Sequence, residues 1–322
     1  MITTDRVRGC MLGLAIGDAI GTTVEFKRRG TFARVTDMVG GGPFALEPGQ
    51  WTDDTAMALC LGTSLLEREG SDPGDQMERY VRWFREGYMS CTGTCFDIGS
   101  TVRQALLGYE SSGNPFSGST DPRSAGNGCI MRLAPVALFY WVAESRAEQA
   151  AAVSCRTTHG ATECVDACRL LARMLVRATR GAGKHDVLFA DREYFDVSSN
   201  VGRIAAGGYA GKPADEISGS GYVVSCLEAA LWCFHTTDTF ADAVLAAANL
   251  GDDADTTAAV CGQVAGAYYG ESAIPAHWRA RLAWADRIGD LARDLHWFTR
   301  SLIRTEPGDP SGSRPDDPMT PV

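Results

Sequence analysis

The sequence lacks an excess of positive charge, and this absence limits the partners that we expect. Its 30 Lys and Arg residues are outnumbered by 40 Asp and Glu, which gives a formal net charge of -10 over 322 residues. A broad nucleic-acid-binding surface needs basic side chains against the phosphates. Nucleic acid is therefore not expected as a main partner, although a local basic pocket is still allowed.

Long apolar runs are also absent. The longest, residues 133–143, is too short to span a bilayer. Asp18 interrupts the only apolar stretch near the N-terminus, so the pattern of a signal peptide is missing. We expect a soluble, cytoplasmic protein without a membrane partner.

Two further absences concern cysteine spacing and β-strand patterns. The 11 Cys residues include no Cys-x-x-Cys pair, and no His lies near enough to complete a zinc site of the usual spacing. We expect free, buried thiols in a reducing compartment. No segment shows a convincing alternation of apolar and polar residues, which would indicate a β-strand.

Helical periodicity, in contrast, extends over most of the chain. No linker interrupts it, and a segment rich in Pro, Gly, Asp and Ser begins at residue 305. We predict one nearly all-α domain at 1–304 and a disordered tail at 305–322. Residues 181–203 have a weak pattern and are predicted as a surface insertion. The predicted helices are 5–20, 53–69, 75–86, 98–108, 131–142, 160–178, 223–234, 239–248, 255–269 and 279–302.

A stripe of glycines marks the first predicted helix. Four of them recur every four residues and share one helical face: Gly9, Gly13, Gly17 and Gly21. Each glycine costs about 1 kcal/mol relative to Ala inside a helix, and close contact with another helix would offset that cost. Asp18 at the end of this helix and Glu25 just after it are candidate functional residues.

Two acidic clusters lie about two hundred residues apart in the sequence. Acids crowded beside a core helix repel one another, and burial disfavours their charged forms. A hard divalent cation would remove this cost, because it prefers oxygen ligands. We predict that the clusters meet in space and share metal. They contain Thr52, Asp53, Asp54 and Thr55 in the first, and Asp252, Asp253, Asp255, Thr256 and Thr257 in the second.

Each candidate also has a purely structural interpretation. Thr52 looks like a helix N-cap, with Asp53 and Asp54 complementing the dipole of the first turn. Asp97 is either the cap of the helix at 98–108 or a site residue, and its spacing favours the cap. His159, just before a helix, is either a structural hydrogen-bonding residue or part of the site.

Two more patterns carry open interpretations. The Gly126-Asn127-Gly128 loop precedes an apolar helix and could offer backbone N–H groups to a phosphate, but a plain turn has the same pattern. A stripe of basic residues on the helix at 160–178 is predicted to be a solvated face. It consists of Arg169, Arg173 and Arg177.

Two familiar metal-binding patterns fit the second cluster poorly. A calcium EF-hand loop needs a turn glycine where Ala258 stands and a bidentate Glu where Val264 stands. The Asp-Asp-x-x-Asp pattern of prenyl-transfer and terpene cyclase sites has a different spacing from that of Asp252, Asp253 and Asp255.

Six segments, in order over residues 5–270, resemble the ADP-ribosylglycohydrolase family. The segments are Gly9-Cys10-Met11-Leu12-Gly13-Leu14-Ala15-Ile16-Gly17-Asp18-Ala19-Ile20-Gly21 with Glu25, Trp51-Thr52-Asp53-Asp54-Thr55, Phe96-Asp97-Ile98-Gly99, Gly126-Asn127-Gly128-Cys129-Ile130-Met131-Arg132, Thr158-His159, and Leu250-Gly251-Asp252-Asp253-Ala254-Asp255-Thr256.

The resemblance implies an all-α, orthogonally packed single domain with two divalent ions, Mg²⁺ or Mn²⁺. It implies that Asp255 bridges the two ions. Asp252 stands where many members have Gly, so its role is open. The implied metal ligands are Thr52, Asp53, Asp54, Asp253, Asp255 and Thr256.

The remaining site residues and the reaction follow from the same resemblance. Glu25 and Asp97 are the implied catalytic acids. The residues implied to bind ADP-ribose are Gly126, Asn127, Gly128 and His159, the glycine-rich loop cradling the diphosphate. The implied activity is hydrolysis that releases ADP-ribose from a modified protein side chain. The loop that contains Asp97 favours arginine.

Other conjugates remain as alternatives: ADP-ribosyl-serine, O-acetyl-ADP-ribose and ADP-ribosylated nucleic acid or small molecules. So does a catalytically silent relative that only binds ADP-ribose. The two complete acidic clusters argue against a silent relative, because such relatives usually lose acids at the metal site.

Overall fold

The computed structural model describes residues 3–304, with side chains as far as Phe298. The predicted tail at 305–322 lies outside the described residues. Within them the fold is all-α, as predicted: no strand forms, and only three isolated β-bridges connect loops. The helices are α1 (Thr4–Gly21), α2 (Asp53–Glu67), α3 (Pro73–Glu86), α4 (Ser100–Ser112), α5 (Ala134–Phe139), α6 (Glu144–Thr158), α7 (Thr162–Arg180), α8 (Lys184–Phe189), α9 (Asn200–Ala205), α10 (Val223–His235), α11 (Phe240–Ala248), α12 (Ala254–Tyr269), α13 (Ala276–Arg281) and α14 (Ala285–Arg304).

The centre of the fold is the contact between α1 and α12, which run antiparallel with their backbones touching. A Cβ atom placed on Gly13 would lie 2.1 Å from the carbonyl oxygen of Gly262, and one on Gly17 would lie 2.1 Å from that of Ala258. The glycine stripe therefore serves close helix contact, as predicted. Because the two helices are antiparallel, the end of α1 and the start of α12 lie at the same place.

The apolar character of α1 follows from this packing. By length and composition the segment Thr4–Val24 could cross a membrane, but 89% of its most apolar 18-residue stretch is buried inside the protein. Neighbouring helices, including α11 and α14, complete its surroundings. We therefore interpret α1 as the core helix of the domain.

Several predicted elements differ from the structure. The apolar run predicted as one helix over 131–142 forms only the short α5, because a series of turns occupies the residues before Ala134. The helix predicted at 279–302 is two helices, interrupted at Trp284, whose φ is 59°. The segment 181–203 contains α8 and the start of α9, and α6 was not predicted.

The basic stripe on α7 is not a solvated face, which corrects the prediction. Arg173 Nε donates to Asp191 at 2.8 Å, and Arg173 Nη1 donates to Glu148 at 3.1 Å. Arg177 pairs with Asp191 and Glu144. Because these acids come from α6 and the following loops, only the tertiary fold brings them against the arginines.

The cysteines agree with the prediction of free thiols. All 11 are unpaired, and nine of them are buried. Burial raises the pKa of thiols such as Cys10 and Cys60 well above their ordinary value, because the low-dielectric core disfavours the thiolate.

Candidate active site

A cavity of about 330 Å³ opens where α1 ends and where α2 and α12 begin. Its lining combines an acidic group of residues with the glycine-rich loop before α5 and His159. Its lining includes most of the predicted site residues: Glu25, Asp53, Asp97, Gly126, Asn127, Gly128, His159, Asp253, Asp255 and Thr256. Thr52 and Asp54 lie buried immediately behind this wall.

The start of α2 is capped by an acid from α1 rather than by its own N-cap side chain. Asp18 accepts hydrogen bonds from the backbone N–H of Thr52 at 2.8 Å and of Thr55 at 3.1 Å, and from the Thr55 hydroxyl at 2.6 Å. Thr52 holds the N-cap position, but its side chain makes no capping bond. The predicted N-cap position of Thr52 is therefore confirmed, but the predicted capping by its side chain is wrong.

The start of α12 is capped in the same way. Glu25 Oε2 accepts from the backbone N–H of Ala254 at 2.7 Å and of Asp255 at 3.1 Å. Asp253 holds the N-cap position without a side-chain capping bond. Asp18 in the last turn of α1 and Glu25 just after that helix thus satisfy both helix starts. The carboxylates of the two clusters are not used for capping and face one another.

The two acidic clusters meet, as predicted. The Thr52 hydroxyl donates to Asp255 Oδ2 at 3.3 Å, and the Thr256 hydroxyl donates to Asp54 Oδ1 at 3.2 Å. The remaining carboxylate oxygen of Asp54, Oδ2, is buried without a hydrogen-bond partner. A buried carboxylate oxygen without a partner is costly, which points to a cation as the missing partner.

Burial and mutual repulsion raise the carboxylate pKa values throughout this wall. Burial, followed by the charge of Asp255, raises the pKa of Asp253 to about 7. Burial, followed by Asp97, raises the pKa of Asp255 to about 8. The pKa of Glu25 rises to about 12 through burial and the charges of Asp255 and Asp253. Burial likewise raises the pKa of Asp53 well above its ordinary range.

The residues present fit a divalent cation. Carboxylate oxygens of Glu25, Asp253 and Asp255 lie within 4.8 Å of one another. The donors are all oxygens, the ligand type that hard cations such as Mg²⁺ prefer. Sequence reasoning kept Glu25 apart from the ligands, whereas the structure brings it into their group.

Asp97 lines the cavity and does not cap a helix, which corrects the interpretation that its spacing favoured. The N-cap position of α4 is Gly99, two residues further on. Asp97 has a φ of 58°, a left-handed conformation that Asp tolerates better than most residues. Burial raises its pKa to about 6, so this carboxyl is poised to exchange a proton near neutral pH.

The loop wall of the cavity, residues 126–128, packs on the imidazole of His159. A Cβ on Gly128 would lie 3.0 Å from His159 Cε1, and one on Gly126 would lie 3.3 Å from His159 Nε2. His159 Nδ1 is 2.8 Å from the Thr158 hydroxyl, and burial lowers the pKa of His159 to about 4. The imidazole is therefore uncharged at neutral pH and supports the loop.

The hydrogen bonds of this loop limit how it could hold a phosphate. The N–H of Gly126 donates to Ser124 and that of Asn127 donates to Gly221, so these two groups are already used. The side-chain amide of Asn127 donates to Asp253 Oδ2 at 2.8 Å. Asn127 therefore connects the loop to the acidic wall, which the sequence pattern did not indicate.

Asp252, the acid without an assigned role, lies outside the cavity. It is exposed, and its φ of 58° explains why Gly would also suit this position. Its N–H donates to the Lys27 carbonyl and its carbonyl accepts from Phe26 N–H, both at 2.8 Å. Its contribution is made by the backbone, since the side chain faces solvent.

Metal-free protein should lose stability as pH rises from 6.5 to 8.5. A carboxyl whose folded pKa is raised above its ordinary value of 3.8 stabilises the fold while protonated, and Asp253 and Asp255 lose that proton near pH 7 and 8. Urea unfolding in a chelator measures the effect, expected on the order of several kcal/mol. The range begins at pH 6.5 because of His159, whose pKa is about 4 in the folded protein and 6.5 ordinarily. Below pH 6.5 its protonation favours the unfolded state and would add an opposite pH dependence.

Added Mg²⁺ or Mn²⁺ should restore stability more at pH 8.5 than at pH 6.5, since a cation replaces the lost protons. A stability that stays constant over this range in the chelator would contradict the electrostatic account of the acidic wall.

The site is an acid-lined cavity between two helix starts of an all-α domain, with carboxylate oxygens placed where they could hold a cation, and the similar proteins described below are hydrolases that act on ADP-ribose conjugates. The chain belongs to the ADP-ribosylglycohydrolase family, whose model matches residues 1–302. The family resemblance and the fold class inferred from the sequence are thus confirmed.

Individual relatives agree with this assignment. ADP-ribosylarginine hydrolase Tri1 of Pseudomonas putida (strain GB-1) is 46% identical over 291 residues, which span 90% of this chain and 78% of the relative. ADP-ribosyl-[dinitrogen reductase] glycohydrolase of Rhodospirillum rubrum is 35% identical, over 86% of this chain and 90% of the relative. A solved structure described as an ADP-ribosylglycohydrolase-related protein complex matches with a TM-score of 0.82 and 43% identity, over 92% of this chain and 98% of that one.

Proposed function

We propose that this protein hydrolyses the N-glycosidic bond between ADP-ribose and a modified arginine side chain of a protein, and so reverses mono-ADP-ribosylation. The meeting of the two acidic clusters beside Asp97 is the observation that carries the proposal. The relative from Pseudomonas putida, 46% identical, is named as a hydrolase of ADP-ribosylarginine. The natural partners would be ADP-ribosylated proteins, and the reaction would take place in the cytoplasm.

The cofactor that fits the acidic wall is a pair of divalent cations, Mg²⁺ or Mn²⁺. The ligands would be Thr52, Asp53, Asp54, Asp253, Asp255 and Thr256, with Glu25 beside them. Bound cations would neutralise the carboxylates, offer positions to ribose hydroxyls and favour ionisation of water. Asp54 Oδ2, the buried oxygen without a partner, supports this ligand set.

The leaving group determines what Asp97 has to do. When the bond between ribose and the protonated guanidinium breaks, the bonding electron pair stays on nitrogen and the side chain leaves as neutral guanidine. A carboxylate matches a guanidinium sterically and electrostatically, and Asp97, with a pKa of about 6, is suited to hold the departing group and move a proton. Water would add to the anomeric carbon as this bond breaks, and Asp97 would pass the proton that the water loses to the departing neutral guanidine, which becomes guanidinium again.

Four further residues position the helix starts and the glycine-rich loop around the cavity. Asp18 and Glu25 fix the starts of α2 and α12 through the backbone bonds to their carboxylates. Asn127 ties the loop wall to Asp253. Neutral His159 supports the glycines of that loop without adding charge to the cavity.

Replacing Asp97 by Asn should lower kcat/KM on arginine-modified protein by about 10²- to 10³-fold, because Asn cannot accept or donate the proton. The assay is release of free ADP-ribose with Mn²⁺, with Mg²⁺ and with a chelator. Asp252→Asn is the matched control, since that Asp also has a φ of 58° but is exposed.

Wild-type protein that releases no ADP-ribose with either metal would overturn the proposed function. Faster release from serine-modified protein than from arginine-modified protein would move the assignment to another ADP-ribose linkage. Full activity of Asp97→Asn would remove Asp97 from the reaction.

A further inference from the structure

A phenylalanine at the mouth of the cavity leaves most of its side chain exposed to solvent. Phe26 directly follows Glu25, lines the cavity and is 68% exposed. Most large apolar side chains of this protein are buried, so an aromatic ring exposed beside a substrate cavity is available to contact a ligand. None of the cation–π contacts within the described part of the chain involves this ring.

The backbone holds Phe26 in a conformation that bulky residues seldom adopt. Its φ is 61°, and it faces Asp252, whose φ is 58°. The N–H of Phe26 donates to the Asp252 carbonyl, and the N–H of Asp252 donates to the Lys27 carbonyl, both at 2.8 Å. A left-handed aromatic residue costs conformational energy, and such residues persist where the surrounding structure fixes them. The loop before α12 thus fixes the direction in which Phe26 leaves the chain.

Two further rings connect Phe26 to the loop that carries Asp97. The rings of Phe26 and Phe44 meet edge to face with centroids 6.3 Å apart, and those of Phe44 and Phe96 lie 5.3 Å apart. Phe96 immediately precedes Asp97. The three rings therefore connect the loop that follows the cavity acid Glu25 with the loop that leads into the cavity acid Asp97. We call Phe26, Phe44 and Phe96 the aromatic rim.

We propose that Phe26 is a specificity residue that receives the arginine side chain of the substrate, with its ring against the planar guanidinium and the carboxylate of Asp97 at the guanidinium edge. This inference rests on the proposed function. A guanidinium binds well between an aromatic ring and a carboxylate, because it stacks on the ring and donates hydrogen bonds in its own plane. A serine side chain offers neither a plane nor a cation.

Phe44 and Phe96 act through Phe26 as positioning residues. The loop that carries Phe44 is closed by a pair of backbone bonds between Gly41 and Leu46, at 2.7 and 3.0 Å. Phe44 can therefore support the Phe26 ring from a fixed place. The rim as a whole sets the distance between Phe26 and Asp97.

The test compares Phe26→Leu, which keeps an apolar side chain without a ring, with Phe26→Tyr, which keeps the ring. On a peptide that carries ADP-ribosyl-arginine, Phe26→Leu should lower kcat/KM by about tenfold, mainly through KM. Phe26→Tyr should retain nearly the wild-type value. The affinity for ADP-ribose itself, measured by calorimetry, should stay within about twofold, because ADP-ribose lacks the guanidinium.

A control and a supporting variant sharpen the result. Phe116→Leu removes another exposed ring that does not line the cavity, and it should leave all values unchanged. Phe44→Leu should raise KM for the arginine conjugate by a smaller factor than Phe26→Leu, again without weakening ADP-ribose binding.

The outcomes separate this inference from the proposed function. A wild-type protein that does not release ADP-ribose from the arginine peptide would overturn both. An active wild type with an unaffected Phe26→Leu variant would overturn the inference alone. So would an equal loss of ADP-ribose affinity in Phe26→Leu, since the ring would then contact the nucleotide instead of the arginine.

Discussion

Replacing Asp255 by Asn is expected to lower kcat by about 10³-fold while leaving the fold intact. Asp255 contacts residues of both clusters. Its Oδ2 accepts from the Thr52 hydroxyl at 3.3 Å, and its Oδ1 accepts from the Thr256 N–H at 2.6 Å. The substitution keeps the shape of the side chain but removes one anionic oxygen from the group that could hold cations. No other single change in the site should cost as much activity.

The same substitution should leave the metal-free protein at least as stable as the wild type. Burial and the charge of Asp97 raise the pKa of Asp255 to about 8, so its charged form is disfavoured in the fold. A neutral amide avoids that cost. The measurements are thermal unfolding in a chelator and ADP-ribose release with Mn²⁺. In addition, added Mn²⁺ should raise the melting temperature of the variant less than that of the wild type.

Asp252→Asn is the adjacent control for Asp255→Asn. Asp252 is exposed and outside the cavity, so it should keep both activity and the response to metal. Full activity of Asp255→Asn would show that the ligand assignment is wrong. Loss of activity together with cooperative unfolding would instead show that Asp255 supports the fold.

The second large effect is expected from Gly13→Ala, which should destabilise the domain by roughly 3 kcal/mol or more. The added methyl carbon would lie 2.1 Å from the Gly262 carbonyl oxygen, and that obstacle is backbone, which cannot rotate away. The helices α1 and α12 would have to separate. Because Asp18 and Glu25 lie at one end of this contact, activity should fall as well.

Gly108→Ala provides the matched control for this second prediction. Gly108 lies within α4, and a Cβ there meets nothing closer than Ser117 at 3.6 Å. Ala should stabilise that helix by about 0.5–1 kcal/mol. Chemical denaturation of both variants measures the difference. A Gly13→Ala protein with wild-type stability would contradict the account of the helix contact, and Gly262→Ala tests the same contact from the other helix.

The sequence carried enough information to predict the helix contact and the meeting of the acidic clusters. A glycine every four residues has few explanations other than close packing, and acids next to core helices need a partner. The capping of α2 by Asp18 and of α12 by Glu25 could not be predicted in the same way. Each caps a helix that begins far away in the sequence, so no local pattern indicates the bond.

Other differences have the same origin in tertiary structure. Asp97 was interpreted as a local cap because an Asp before a helix is often an N-cap. Its backbone is in the left-handed conformation, and its side chain lines the cavity instead. Arg173 and Arg177 looked solvated because their partners, Glu144, Glu148 and Asp191, belong to other segments. Phe26 carried no sequence signal, since a single Phe in a loop is compatible with any environment.

The contact between α1 and α12 also affects how the protein is made. Glu25 and Asp255, which meet at one end of this contact, are 230 residues apart, so at roughly 5–20 residues per second α1 waits on the order of 10–50 s for its partner. During synthesis this apolar helix is exposed, and exposed apolar surface makes a nascent chain prone to aggregation. We therefore expect the nascent chain to need protection by chaperones, and its folding to be delayed until nearly the whole domain has left the ribosome.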